Sequence, residues 1–237
     1  MKPTHILNLN VEEREISMEC GGVWLQGSLA VPQDAQGIVL FVHGSGSSRH
    51  SPRNRFVART LQAQGMATLL FDLLTQKEER VDQVTAEHRF DIGLLADRLI
   101  GATQWVMQQP ELMELKIGYF GASTGAAAAL IAAAEHPHAI SAVVSRGGRP
   151  DLGGDALQRV QAPTLLIVGG EDTVVIEMNR EALAKLGCPL KKLVIVPGAS
   201  HLFEEPGTLE EAAGAAAEWF THHLSIAKRK PMISMAS

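Results

Sequence analysis

Gly121-Ala122-Ser123-Thr124-Gly125 stands between a short apolar run, Lys116 to Phe120, and an alanine-rich stretch that begins at Ala126. The pattern is G-x-S-x-G at a turn from strand to helix. Such a turn forces the serine into a strained conformation that exposes Oγ, and the flanking glycines relieve the crowding. The helix start behind it offers unpaired N–H groups to a developing negative charge. The chemistry this suits is nucleophilic attack by Ser123 on an acyl carbon.

A serine hydroxyl needs a base, and the base has to arrive through the fold. Among nine histidines, His201 follows the last apolar strand in a G-A-S-H turn. Asp172 closes the preceding G-G-E-D turn and can orient the imidazole. The chain order Ser123, Asp172, His201 is the order that G-x-S-x-G enzymes use. Each residue also has a plainer reading: Asp172 as a helix cap, His201 as a surface side chain. His43-Gly44-Ser45-Gly46 follows an earlier buried strand. That turn can aim the Ser45 N–H at a substrate carbonyl oxygen, with the Thr124 N–H as second donor. His43 itself is expected to pack under the loop.

Arg146 directly follows another strand, in S-R-G-G-R-P-D-L. It can reach the same rim and grip a substrate carboxylate. The alternative is a structural pairing with Asp151 or Asp155. Glu78, Glu79 and Arg80 lie in a charged stretch that could flank substrate, or simply face solvent.

The elements must bring these scattered residues together. Glu13 to Cys20 and Val23 to Val31, joined by Gly21-Gly22, read as an antiparallel hairpin. Gly37 to Val42, Met66 to Phe71, Leu115 to Phe120, Ile140 to Ser145, Pro163 to Val168 and Leu190 to Val196 read as buried strands. Helices are expected over Pro52 to Gln64, Ile92 to Pro110, the alanine-rich run to Glu135, Glu177 to Leu186 and Thr208 to His223. Leu73 to His88 reads as an irregular loop. A hairpin followed by strand–helix units predicts an eight-stranded, mostly parallel, doubly wound α/β sheet, and ligands in such sheets bind beyond the carboxyl ends of the strands. A single domain is expected over residues 1–224, with 225–237 as a flexible tail.

Composition narrows the partners. The 237 residues are 46% hydrophobic and carry a net charge of −5, with no basic block before the last dozen residues. Nucleic acid is therefore not an expected partner. Cys20 and Cys188 lie far apart in no metal spacing, and no secretory signal or run of eighteen apolar residues occurs. These features predict a cytoplasmic protein with no membrane partner, no metal and no organic cofactor.

The chain resembles an α/β-hydrolase, and most of all its small dienelactone-hydrolase-related branch. The resemblance spans about residues 10–224 and rests on H-G-S-G, G-A-S-T-G, the G-G-E-D turn and the G-A-S-H turn. Dienelactone hydrolases proper use a cysteine nucleophile, whereas position 123 is serine. The resemblance thus implies serine esterase chemistry on a small ester or lactone, through an acyl-enzyme. Many relatives insert a helical lid between the sixth and seventh strands; Arg146 to Ala162 is too short for one. Two rivals compete. One is a hydrolase fold serving as a non-catalytic binding module, although all three triad positions are kept. The other is a Rossmann-like nucleotide-binding domain, with Gly44-Ser45-Gly46 cradling phosphate and Asp72 on a ribose, although Arg49 stands where a third glycine belongs.

Overall fold

The computed structural model of the chain describes residues 11–225. Of the expected C-terminal tail, all but Ser225 lies outside the described residues.

Gly21 and Gly22, both at positive φ, turn β1 (Glu13–Cys20) back onto β2 (Val23–Ala30) as the expected antiparallel hairpin. β3 (Ile38–Val42), β4 (Ala67–Phe71), β5 (Ile117–Ala122), β6 (Ile140–Arg146), β7 (Thr164–Gly169) and β8 (Lys191–Val196) complete one sheet. Its eight strands run in the order β1-β2-β4-β3-β5-β6-β7-β8, with β2 antiparallel to β4 and the pairs from β4 to β8 parallel.

β3 is buried at every residue because helices cover both faces. Ile38, Leu40 and Val42 point into one apolar layer, while Val39 and Phe41 point into the other. The first layer is closed by α3 (Ile92–Gln108), α4 (Thr124–Glu135) and α5 (Thr173–Lys185). The second is closed by α1 (Pro52–Ala63) and α6 (Thr208–Leu224). In the first layer the Tyr119 hydroxyl meets Thr103 Oγ1 at 2.6 Å, so its buried polar end is satisfied. The order β4-β3-β5 puts β3 and β5 side by side, in register from Ile38–Ile117 to Val42–Gly121. The turns after them, which carry Ser45 and Ser123, therefore emerge next to each other.

The stretch expected as a loop, Leu73 to His88, instead contains helix α2 (Gln76–Thr85). Its apolar residues Val81 and Val84 face solvent while Asp82 is buried, so no amphipathic stripe marks it. The local signal was the capping box: Thr75 Oγ1 accepts the Glu78 N–H at 3.2 Å, and Glu78 Oε2 accepts the Thr75 N–H at 2.7 Å. Glu78 also pairs with Arg98 at 2.8 Å, which makes it a structural residue. α5 starts four residues earlier than expected, directly after Asp172. The segment after β6 is a short 3₁₀ stretch, Pro150–Arg159, with a break at Gly154.

Candidate active site

Ser123 sits where β5 gives way to α4, at φ 51° and ψ −124°. A non-glycine residue there stores on the order of 1–3 kcal/mol, so its surroundings must hold it. They do so through the main chain. The Ser123 N–H donates to Arg146 O at 3.3 Å, and Ser123 O accepts from the N–H groups of Ala126 (3.1 Å) and Arg149 (3.0 Å). Ser123 occupies the N-cap position of α4, yet its side chain makes no capping bond, which leaves Oγ free. The neighbouring glycines are required by space: a Cβ on Gly125 would lie 2.3 Å from Val42 O, and one on Gly121 would lie 2.5 Å from Ala126 Cα.

His201 is carried on the turn after β8, and Asp172 on the turn after β7. His201 Nδ1 lies 2.6 Å from Asp172 Oδ2. Asp172 stands at the N-cap position of α5 without capping it, so its carboxylate is spent on the imidazole. The Asp172 side chain is mostly shielded, at 16% exposure, while that of His201 is 39% exposed. One face of the pair is thus fixed and the other open. Ser123 and His201 line one cavity of about 190 Å³.

Gly44 and Ser45 line it too. Thr124 is the first residue of α4, so its N–H has no acceptor inside the helix. The Ser45 N–H, the other expected oxyanion donor, is engaged: it donates to Thr124 Oγ1 at 3.0 Å. A side-chain oxygen thus sits where the Ser45 N–H points. His43 lies beneath this loop as expected. Its ring meets Gly44 O through Nδ1 at 2.9 Å and accepts the Leu73 N–H at Nε2, 3.2 Å away. Those contacts need the neutral Nδ1–H tautomer, and burial holds its pKa below the ordinary value.

Arg146 pairs with neither Asp151 nor Asp155. Arg149 takes Asp151, in a two-bond contact at 2.9 and 2.8 Å. The Arg146 guanidinium lies instead within 6 Å of the ring centres of Phe120 (5.8 Å) and Phe203 (5.9 Å), and Nη2 donates to Asn54 Oδ1 at 3.3 Å. It lines the cavity with Ser123. Burial, with help from the nearby Arg53 charge, lowers its pKa to about 10, so it stays cationic at neutral pH. Arg53, Asn54 and Ser51 at the start of α1 also line the cavity, and sequence reasoning missed all three. The available signal was positional: α1 follows β3, so its N-terminus has to face the same rim.

The nucleotide reading loses its acid. Asp72 accepts the Arg49 N–H at 2.8 Å and is ion-paired with the Arg49 guanidinium, so it is tied to the loop after β3. Among the described residues no group of three or more His, Cys, Asp or Glu side chains is placed to hold a metal ion. Among the same residues no helix is long and apolar enough to cross a membrane.

Comparison with known proteins agrees with this fold. A solved dienelactone hydrolase from Anabaena variabilis is 61% identical, covers 90% of this chain and 99% of its own, and superposes with a TM-score of 0.89. A Pyrococcus furiosus esterase shares the fold at 18% identity, covering 94% of this chain and 98% of its own, with a TM-score of 0.75. A curated Mycobacterium tuberculosis protein, provisionally named a phosphoribosyl transferase, is 57% identical over 215 residues, 90% of this chain and 47% of that protein. The chain thus spans about half the length of that curated relative. The model of the dienelactone hydrolase family matches residues 25–229. With its eight-stranded sheet, N-terminal hairpin and α/β-hydrolase fold, the chain belongs to the dienelactone hydrolase family.

Proposed function

We propose that this chain is a serine hydrolase that cleaves a small carboxylic ester or lactone through an acyl-enzyme on Ser123. The observation that carries the reading is the strained, uncapped Ser123 in one cavity with His201, whose far nitrogen is bonded to Asp172. In this mechanism Ser123 Oγ attacks the substrate carbonyl carbon and His201 Nε2 takes its proton. Asp172 keeps the Nδ1–H tautomer and balances the imidazolium. The oxyanion is held by the Thr124 N–H and the Ser45 N–H, and the Thr124 hydroxyl that occupies the latter gives way to it. His201 returns the proton to the leaving alkoxide. Water, deprotonated by the same imidazole, then releases the acid and frees Ser123. None of these steps calls for a metal or an organic cofactor.

The phosphoribosyl transferase name of the longer relative is not carried over. The match covers 47% of that protein, and the groups gathered here suit acyl transfer. A fluorophosphonate probe with mapping of the adduct tests the proposal. An adduct on Ser123 Oγ, lost after prior acylation by an ester substrate, is expected. A folded protein that takes no adduct at Ser123 would be a non-catalytic relative, and the proposal would fall.

A further inference from the structure

Arg146 presents an unusual imbalance. Its guanidinium is buried, with 8% of the residue exposed, and no carboxylate among the described residues is within ion-pair distance. Nη2 is taken by Asn54, while Nη1 is buried without any hydrogen-bond partner. A buried charge with an unmatched donor is costly unless something pairs with it. The two aromatic rings offset part of that cost but accept no N–H bond in the guanidinium plane.

The surroundings raise the positive potential further. Arg53 is close enough to depress Arg146 electrostatically. Its partner Glu204, at 3.3 Å, is a surface pair with the acid 64% exposed, so it neutralises little. Among the described residues, none lining the cavity is acidic. Ser51 caps α1 by accepting the Asn54 N–H at 3.3 Å, which leaves its own hydroxyl proton to give. Pro52 has no N–H, so Arg53 offers the first unpaired amide of the helix.

We infer that Arg146, Arg53, Ser47 and Ser51, which share the lining of this cavity, form a subsite for a phosphoryl dianion, and that the ester cleaved at Ser123 carries a phosphate monoester. This rests on the hydrolase reading for the reaction but not for the binding. Two observations favour phosphate over carboxylate. The donors come from three separate elements, the end of β6, the first turn of α1 and the loop before it, which suits oxygens pointing in three directions. The Arg146 fork is already split by Asn54, so it is not free to grip one planar carboxylate with both ends. Two guanidinium groups also match two negative charges.

The probe is inorganic phosphate, titrated calorimetrically into the whole chain above its second ionisation at constant ionic strength. One saturable site is expected, with acetate binding more weakly. Arg146→Met should weaken phosphate by roughly ten- to a hundredfold, the loss of a charge-assisted contact. Arg53→Met should weaken it by roughly three- to tenfold. Should Arg146→Met fail to melt cooperatively, the partly exposed Arg53 variant carries the test. In turnover, an acetate ester bearing a phosphate monoester two carbons away should exceed its methyl-ether counterpart in kcat/KM by about ten- to a hundredfold. No saturable phosphate binding, tighter acetate binding, or wild-type affinity in folded variants overturns the subsite. Ser123 labelling separates the two readings: labelling without phosphate binding sinks the subsite alone, and phosphate binding without labelling sinks the hydrolase alone.

Discussion

The imidazole of His201 and the carboxylate of Asp172 meet at 2.6 Å although 29 residues separate them along the chain. Asp172 starts helix α5 and had a local use for its side chain as a cap, yet the carboxylate turns to the ring. With Nδ1 held, Nε2 is the nitrogen left for the proton transfer proposed at Ser123. Asp172→Asn should therefore lower kcat by about ten-thousandfold, and Ser123→Ala or His201→Ala by on the order of a millionfold. Steady-state ester hydrolysis by purified variants checks this. Near-normal turnover in Ser123→Ala would falsify the assignment.

Ser45 is expected to act through its main chain. Ser45→Ala keeps the N–H and should retain most activity. Ser45→Pro removes the N–H that now reaches Thr124 Oγ1, and should cost about a hundred- to a thousandfold in kcat. Equal activities in the two variants would reject Ser45 as an oxyanion donor.

The backbone around Ser123 leaves no room for a side chain at position 125. A Cβ there would meet Val42 O at 2.3 Å and His43 O at 2.6 Å, both main-chain atoms. Gly125→Ala should cost about 3 kcal/mol or more, because the β3–α4 spacing must open. That corresponds to a melting temperature lower by roughly 6–12 °C in a chain of this size. An unchanged melt would show that the turn tolerates the shift.

His43 should make stability depend on pH. Its folded pKa is held below the ordinary value by burial, against a smaller opposing effect of its bond to Gly44 O. A folded state that prefers the neutral ring gains stability fully above the unfolded pKa, about 6.5, and loses it as pH falls below that value. His223, lowered mainly by burial too, adds to the same window. Melting temperatures measured between about pH 8 and pH 5 should fall for the wild type. The His43→Gln variant should start lower but give a flatter curve; parallel curves would exclude His43 as the source.

Removal of metal should leave the reaction intact, since every step proposed here uses side-chain or main-chain groups of the protein. Ester turnover after chelator treatment and dialysis should match the untreated protein. A loss restored by an added divalent ion would overturn the mechanism.

Much of this protein is legible in its sequence, and the reason is range. The turn at Ser123 is written within five residues, because its glycines and its strained serine are local requirements of covalent geometry. Hydrophobic runs such as Ile38–Val42 mark strands covered on both faces, and chain order puts Ser123, Asp172 and His201 after β5, β7 and β8 on one rim. Helix α2 was missed because its fold-forming signal is a four-residue cap, Thr75 to Glu78, with no apolar stripe behind it.

What the sequence left open were choices between competing partners. Asp172 could cap α5 or hold His201, and Arg146 could pair with Asp151 or face the cavity. Each outcome depends on which groups the sheet order brings within hydrogen-bond reach. Arg149 lies two residues from Asp151 and takes it, whereas Arg146 at the end of β6 is buried against Phe120, Phe203 and Asn54. Short-range geometry dictated the strained turn at Ser123, while the long-range packing of β3, β5, β6 and α1 decided which charges meet beside it.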